Sequence, residues 1–256
     1  MGKIYIEMYR GDGPGTIIQR ILLADAYCFY NKDELGGVLS DKKRSYWHQD
    51  VFYKRVNMFF NMSLKKIDRK DQIVKEEKLF DAECILKIVE KNIDKYCTDD
   101  WKKDVTKRVI DEKWKNNLSV HIRRGDVNIK NHPGRYLDDS VYISIIKKII
   151  SVKPGLTISL HSQKPFNGDL MEYKKNIKNS EITIHLDNTD KSSNGQGMSK
   201  MMDSILKDWK IMINSKVLLT SKSSFSYVPA LLNTNEIHYI PFWHPKLKSW
   251  IDEKES

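Results

Sequence analysis

The residues best suited to chemistry lie in Val120-His121-Ile122-Arg123-Arg124-Gly125-Asp126, where two adjacent arginines follow an apolar run and precede a glycine. Arginine stays charged in proteins and presents a planar fork of donors that matches phosphate oxygens. At the end of a strand, such a pair suits a phosphorylated ligand. The plain alternative is a surface ion pair with nearby acids, and the apolar strand ahead of the pair weighs against it. A second candidate is Ser221-Lys222-Ser223-Ser224-Phe225-Ser226. Small hydroxyl residues at a helix start cap free amides, and the same amides can bind phosphate. A third is Gly11-Asp12-Gly13-Pro14-Gly15. It lacks the Gly-Lys-Ser/Thr of a Walker loop and, with Thr16 next, fits the dinucleotide fingerprint poorly. Its glycines still permit close approach of a ligand to the backbone. His121, His161 and His185 end strands, but no His-x-Glu or Asp-x-Asp pattern joins them, so no metal site is read from them. Asp208 alone reads as a solvated helix-face residue.

These groups need elements to hold them. The first third opens with a strand over Lys3–Tyr9, the glycine loop, and a helix over Thr16–Tyr30 with Ile17, Ile21, Ala24 and Cys28 on one face. No clear acid-ended second strand follows. Residues 64–113 are highly charged and read as mostly helical, with Leu79, Ile85, Ile88, Val89 and Ile93 as an inner stripe. From residue 117 the pattern alternates. Strands are expected at 118–122, 156–161, 181–186, 216–220 and 237–240, with helices near 140–151, 169–178, 198–213 and 225–232. Such alternation indicates an α/β fold with a parallel sheet covered on both faces. Ligands of such sheets bind at the carboxyl ends of the strands. That rule collects the arginine motif, His161-Ser162-Gln163-Lys164, Asp187-Asn188 and the serine run at one end. Trp243, His244 and Pro245 are expected to pack the last segment onto the body.

The chain of 256 residues is long enough for a sizeable core, divided here into halves 1–112 and 113–256. Its charge of +10 is spread among acids along the chain, and no zinc-finger or aromatic RNA-binding motif appears. A solvated lysine surface with an anionic-substrate pocket therefore fits better than a nucleic-acid-binding protein, which stays as the non-enzyme alternative. No apolar run reaches the roughly 18 residues of a membrane span. The N-terminus does not read as a signal peptide, and three scattered cysteines suggest no disulfide framework. A cytoplasmic setting is the expectation.

Taken together, the motifs resemble the fucosyltransferase superfamily with the His-x-Arg-Arg-Gly-Asp motif, which includes α-1,2-, α-1,6- and protein O-fucosyltransferases. Residues 11–19 look like its glycine loop and following helix, His121–Asp126 like its arginine motif, and Asp208 with 216–227 like its last motif. The resemblance implies a GT-B glycosyltransferase with two Rossmann-like halves, taking a GDP-sugar donor, usually GDP-fucose. It implies inversion without a metal, so no cofactor beyond the donor, and a glycan acceptor on the N-terminal side. Arg123 would contact the β-phosphate, with Arg124 beside it. His121 and Asp208 would contact the nucleoside. Ser223, Ser224, Phe225 and Ser226 would hold the diphosphate, and Ser162, Gly13 and Gly15 would line the donor site. The glutamate base of the α-1,6 members is replaced by Asn131, so Asp12 and Asp126 are the candidate bases. A transferase for another nucleotide sugar on the same scaffold is the enzyme alternative, and a lectin-like module that lost catalysis is another.

Overall fold

A computed structural model describes residues 3–8, 13–40, 50–68, 78–164, 166, 170–178, 180–187 and 195–254. The chain divides into two compact units. The first is Met1–Val109 with Lys191–Asp203 and Pro245–Lys248. The second is Ile110–Asp190 with Ser204–His244 and Ser249–Ser256. Two short late segments thus group with the first unit.

The first unit holds strands β1 (Lys3–Met8), β2 (Glu34–Ser40), β3 (Lys65–Asp68) and β4 (Lys78–Asp81) in a parallel sheet of order β3-β2-β1-β4. Its helices are α1 (Pro14–Asn31), α2 (Asp50–Phe59), α3 (Ala82–Lys91), α4 (Ile93–Tyr96) and α5 (Asp99–Thr106). Helix α1 buries Ile17, Ile18, Ile21, Leu22 and Leu23, and α3 meets it with Ile85 and Val89. One expectation needs correction. Residues 64–113 are not mostly helical, because β3 and β4 lie among them. A second strand, β2, follows α1 and ends on Ser40, not on an acid. In β2 the pair Gly36-Gly37 masks the strand pattern. Gly37 is glycine for a reason: a Cβ there would lie 2.3 Å from the Lys65 carbonyl oxygen of the neighbouring strand. Ile88 is also exposed, outside the inner stripe.

The second unit holds β5 (Asn117–His121), β6 (Thr157–Gln163), β7 (Ile182–Asp187), β8 (Val217–Leu219), β9 (Glu236–Tyr239) and β10 (Ile251–Asp252), all parallel. Between them run α6 (Asp139–Val152), α7 (Leu170–Asn176), α8 (Gly195–Asn214) and α9 (Ser224–Leu232). The strand order is β10-β9-β8-β5-β6-β7. Counted along this unit, that is 3-2-1-4-5-6, the doubly wound order whose topological switch falls between β5 and β8. The α/β architecture with parallel sheets is therefore as expected, and the alternation of elements was the signal for it. Leu118, Val120, Ile146, Ile149, Ile158, Leu160 and Val217 form the centre of this unit's core. Trp250, not Trp243, packs the last segment down: Trp250 is buried against Tyr227 and Tyr239, whereas Trp243 is 65% exposed.

Candidate active site

The switch point sits where the arginine and serine motifs converge. Strand β5 ends on His121 and β8 runs into Ser221, and the two side chains meet, His121 Nδ1 to Ser221 Oγ at 2.6 Å. The His121 ring lies against Phe225 of α9, centroids 4.9 Å apart. Burial, then the charges of Arg123 and His161, push the His121 pKa well below its usual value. A neutral imidazole offers one donor and one acceptor, which suits a nucleobase edge better than a phosphate.

The serine run is largely occupied with building α9. Ser223 caps the helix by accepting from the Phe225 amide at 3.2 Å. Ser226 Oγ accepts from the Ser221 amide at 3.0 Å and donates to the Ser223 carbonyl at 3.2 Å. Ser224, the first helical residue, pairs through Oγ with His244 Nε2 at 2.8 Å. Trp243 Nε1 also donates to His244 Nε2, at 3.1 Å. Burial, then Arg135, lower the His244 pKa to about 4, consistent with a neutral ring that accepts.

The two arginines part company. Arg123 is half-buried, ion-paired with Asp126, and donates to Gln163 Oε1 at 3.3 Å. Burial lowers its pKa, Asp126 opposes this, and the charge of Arg135 adds to it. Its Nε–H is buried without an acceptor. Gly125 makes the turn between them possible, at φ +77°, a region that costs glycine nothing. Arg124 is 0% exposed. It donates to the Arg123 and Leu137 carbonyls, each at 2.9 Å, and pairs with Asp139 at the start of α6. Its guanidinium also lies 4.5 Å from the Tyr136 ring centroid. Arg124 thus turns into the core, away from the ligand position expected of it. Ser162 does likewise, donating to the Ile122 carbonyl at 2.7 Å and so holding the motif loop to β6.

Asp208 is buried, not solvated. Its Oδ1 lies 3.2 Å from His161 Nδ1 and 3.8 Å from His185 Nδ1. The histidines are register partners on β6 and β7, with rings stacked at 4.6 Å and 11°. The carboxylate thus faces this pair, with no hydrogen bond to His161 Nδ1, while His121 meets Ser221. The three donor atoms lie within 4.8 Å of one another. Two rings so nearly parallel must rotate before both lone pairs can address one ion. In the sequence this cluster shows only as histidines at strand ends, with Asp208 far away along the chain.

In the first unit, Gly13 precedes α1 and its carbonyl accepts from the Thr16 and Ile17 amides at 3.1 and 3.2 Å. Gly15 is buried in the first turn. Asp12 lies outside the described residues. Asp126 is the candidate base that can be placed: it is 60% exposed and committed to Arg123. A hollow of about 590 Å³ in this unit, lined by Tyr53, Asn57, Met58, Met62 and Arg108 among others, contains none of the residues singled out by sequence.

A pH dependence follows from the histidines of the second unit. Burial, then His161, lower the His185 pKa to about 4. An unfolded histidine takes its proton near pH 6.5, so between about 6.5 and 4 the unfolded chain binds more protons than the folded one. Stability is then lost as pH falls through that window. Urea midpoints measured from pH 7 to pH 4 should fall, and His185→Asn should flatten the fall; parallel curves for the two proteins would refute this.

No protein-family profile matches the chain. No curated protein matches it in sequence. Among solved structures it is similar to POFUT1 in complex with GDP (TM-score 0.42, 11% identity, 91% of this chain and 95% of that one). It is also similar to the E. coli heptosyltransferase WaaC with ADP-2-deoxy-2-fluoro heptose (TM-score 0.44, 10%, 97% and 92%). A third is NodZ alpha-1,6-fucosyltransferase soaked with GDP-fucose (TM-score 0.45, 10%, 91% and 93%). Among the described residues, no helix is long and apolar enough to cross a membrane.

Proposed function

We propose that the protein is an inverting, metal-independent glycosyltransferase that moves a sugar, fucose by its motif resemblance, from a GDP-sugar to a glycan acceptor. The observation that carries this reading is the convergence of Arg123, His121 and the start of α9 at the switch point of a doubly wound sheet. That is where such folds bind nucleotides, and the groups present divide as a nucleoside diphosphate requires. The neutral His121 and the Phe225 ring suit the nucleoside. Arg123 and the α9 amides suit the phosphates.

In the reaction, the bond between the sugar's anomeric carbon and the β-phosphate oxygen breaks, and its electron pair stays on the diphosphate. The acceptor hydroxyl oxygen forms the new bond from the opposite face, and its proton passes to a carboxylate, Asp126 or Asp12. Negative charge grows on the diphosphate as the bond breaks. A fixed guanidinium aimed there favours the transition state over the ground state. Arg123 is suited to this because Asp126 and Gln163 hold it in place before any ligand arrives.

A thermal-shift screen of GDP-, UDP-, dTDP- and ADP-sugars tests the reading. Stabilisation by GDP-fucose and GDP is expected. A response confined to another nucleotide would move the donor elsewhere on the same scaffold. Indifference to every nucleotide sugar, with salt-sensitive binding to RNA or DNA instead, would overturn it.

A further inference from the structure

Arg124 faces the core, so the pair of forks that the sequence offers is not the pair that the fold presents. A different second arginine stands at the site. Arg135 lies on the loop between the motif and α6, and its position is built rather than incidental. Asn128 Oδ1 accepts from the Lys130 and Asn131 amides, each at 2.9 Å. The Arg135 and Tyr136 amides both donate to the His132 carbonyl at 3.0 Å. Arg124 then pins the far side of the loop through the Tyr136 ring and the Leu137 carbonyl. The buried arginine therefore positions the exposed end of its neighbour's loop.

The Arg135 guanidinium lies 5.3 Å from the Trp243 ring centroid and 5.7 Å from that of Phe242. It is close enough to Arg123 and His244 for its charge to lower the pKa of each. Among the described residues no carboxylate pairs with it, and its Nε–H is buried without an acceptor. The shelf beneath it leads straight to α9, since Trp243 and Ser224 both bond His244. Two guanidinium groups that repel one another, one of them without a counter-charge, beside a helix start, form a site that an anion relieves. The planar fork supplies paired donors for phosphate oxygens.

We infer that Arg135, carried on the Phe242-Trp243 shelf, is the second cation of the diphosphate site, opposite Arg123. The inference rests on the glycosyltransferase reading for the identity of the natural ligand, but the site itself is defined by its chemistry, two linked phosphates. Without such a ligand the Arg135–Trp243 contact is a surface cation–π pair, which would leave anion affinity untouched.

Titration calorimetry of the full chain with inorganic pyrophosphate, and separately with GDP, tests this on the wild type, Arg135→Ala, Arg135→Lys and Arg123→Ala. A charge-assisted hydrogen bond lost from such a site weakens binding by roughly tenfold to a hundredfold, so Arg135→Ala should weaken both probes by that factor. Arg135→Lys should recover only part, because an ammonium neither lies flat on the indole nor donates in a fork. Thermal midpoints matching the wild type show that the variants are folded. If one variant is not folded, the other carries the test. Wild-type affinity for pyrophosphate in Arg135→Ala overturns the inference, and the glycosyltransferase reading survives if Arg123→Ala still weakens GDP. Pyrophosphate binding that needs Arg135, with GDP no tighter than pyrophosphate, keeps the site and overturns the reading. A wild type that binds neither probe overturns both.

Discussion

Arg123→Ala is expected to lower donor turnover by about a hundredfold or more, the equivalent of roughly 3 kcal/mol of barrier, while leaving the fold intact. Its side chain is 17% exposed, and its polar partners among the described residues are Asp126 and Gln163. The loss should fall on kcat, because the guanidinium acts on charge that appears as the sugar–phosphate bond breaks. Arg123→Lys should recover little if the fork geometry matters, since an ammonium keeps the charge without the paired donors. Steady-state donor hydrolysis and transfer, measured with GDP-fucose, check this. A kcat within a few-fold of the wild type in Arg123→Ala would remove the role assigned to it.

Arg124→Ala is expected to fail differently, by unfolding the second unit. The guanidinium is fully buried and joins Asp139, two backbone carbonyls and the Tyr136 ring. Tyr173 also donates to Asp139, at 2.8 Å. Truncation leaves a half-buried carboxylate without its cation and a cavity beside it. Breaking a buried pair from one side costs about 3–5 kcal/mol, a large share of the roughly 5–15 kcal/mol that holds a domain together. The thermal midpoint should fall by about 10 °C or more, with loss of nucleotide binding secondary to that. An unchanged midpoint would show that the pair contributes nothing to the fold. Adjacent residues of one motif thus predict opposite failures, one chemical and one structural.

That contrast shows what the sequence could convey. The alternation of strands and helices from residue 117 was legible because its apolar runs are long and regular, as in β5 and α6. The first unit was harder. Strand β2 hides behind Gly36-Gly37, and β3 and β4 carry lysines at positions that read as helix surface. At the site, the arginine and serine motifs were legible as an anion-binding pattern, but residue type does not say which arginine turns into the core. Only the packing of Asp139 and Tyr136 against Arg124 decides that. Asp208 looked solvated because its partners, His161 and His185, come from strands distant in sequence. Arg135 and Trp243 belong to no motif. The run Trp243-His244-Pro245 after β9 was the available signal, and it reads as packing.

A nucleoside diphosphate is expected to bind at the switch point of the second unit. Amide hydrogen exchange with and without GDP tests it most directly, because it reports place as well as binding. Slowed exchange is predicted in 121–126 and 221–227, the segments that form the crevice between β5 and β8. No change at millimolar GDP, or protection confined to residues 50–65 and Arg108 around the hollow of the first unit, would contradict it.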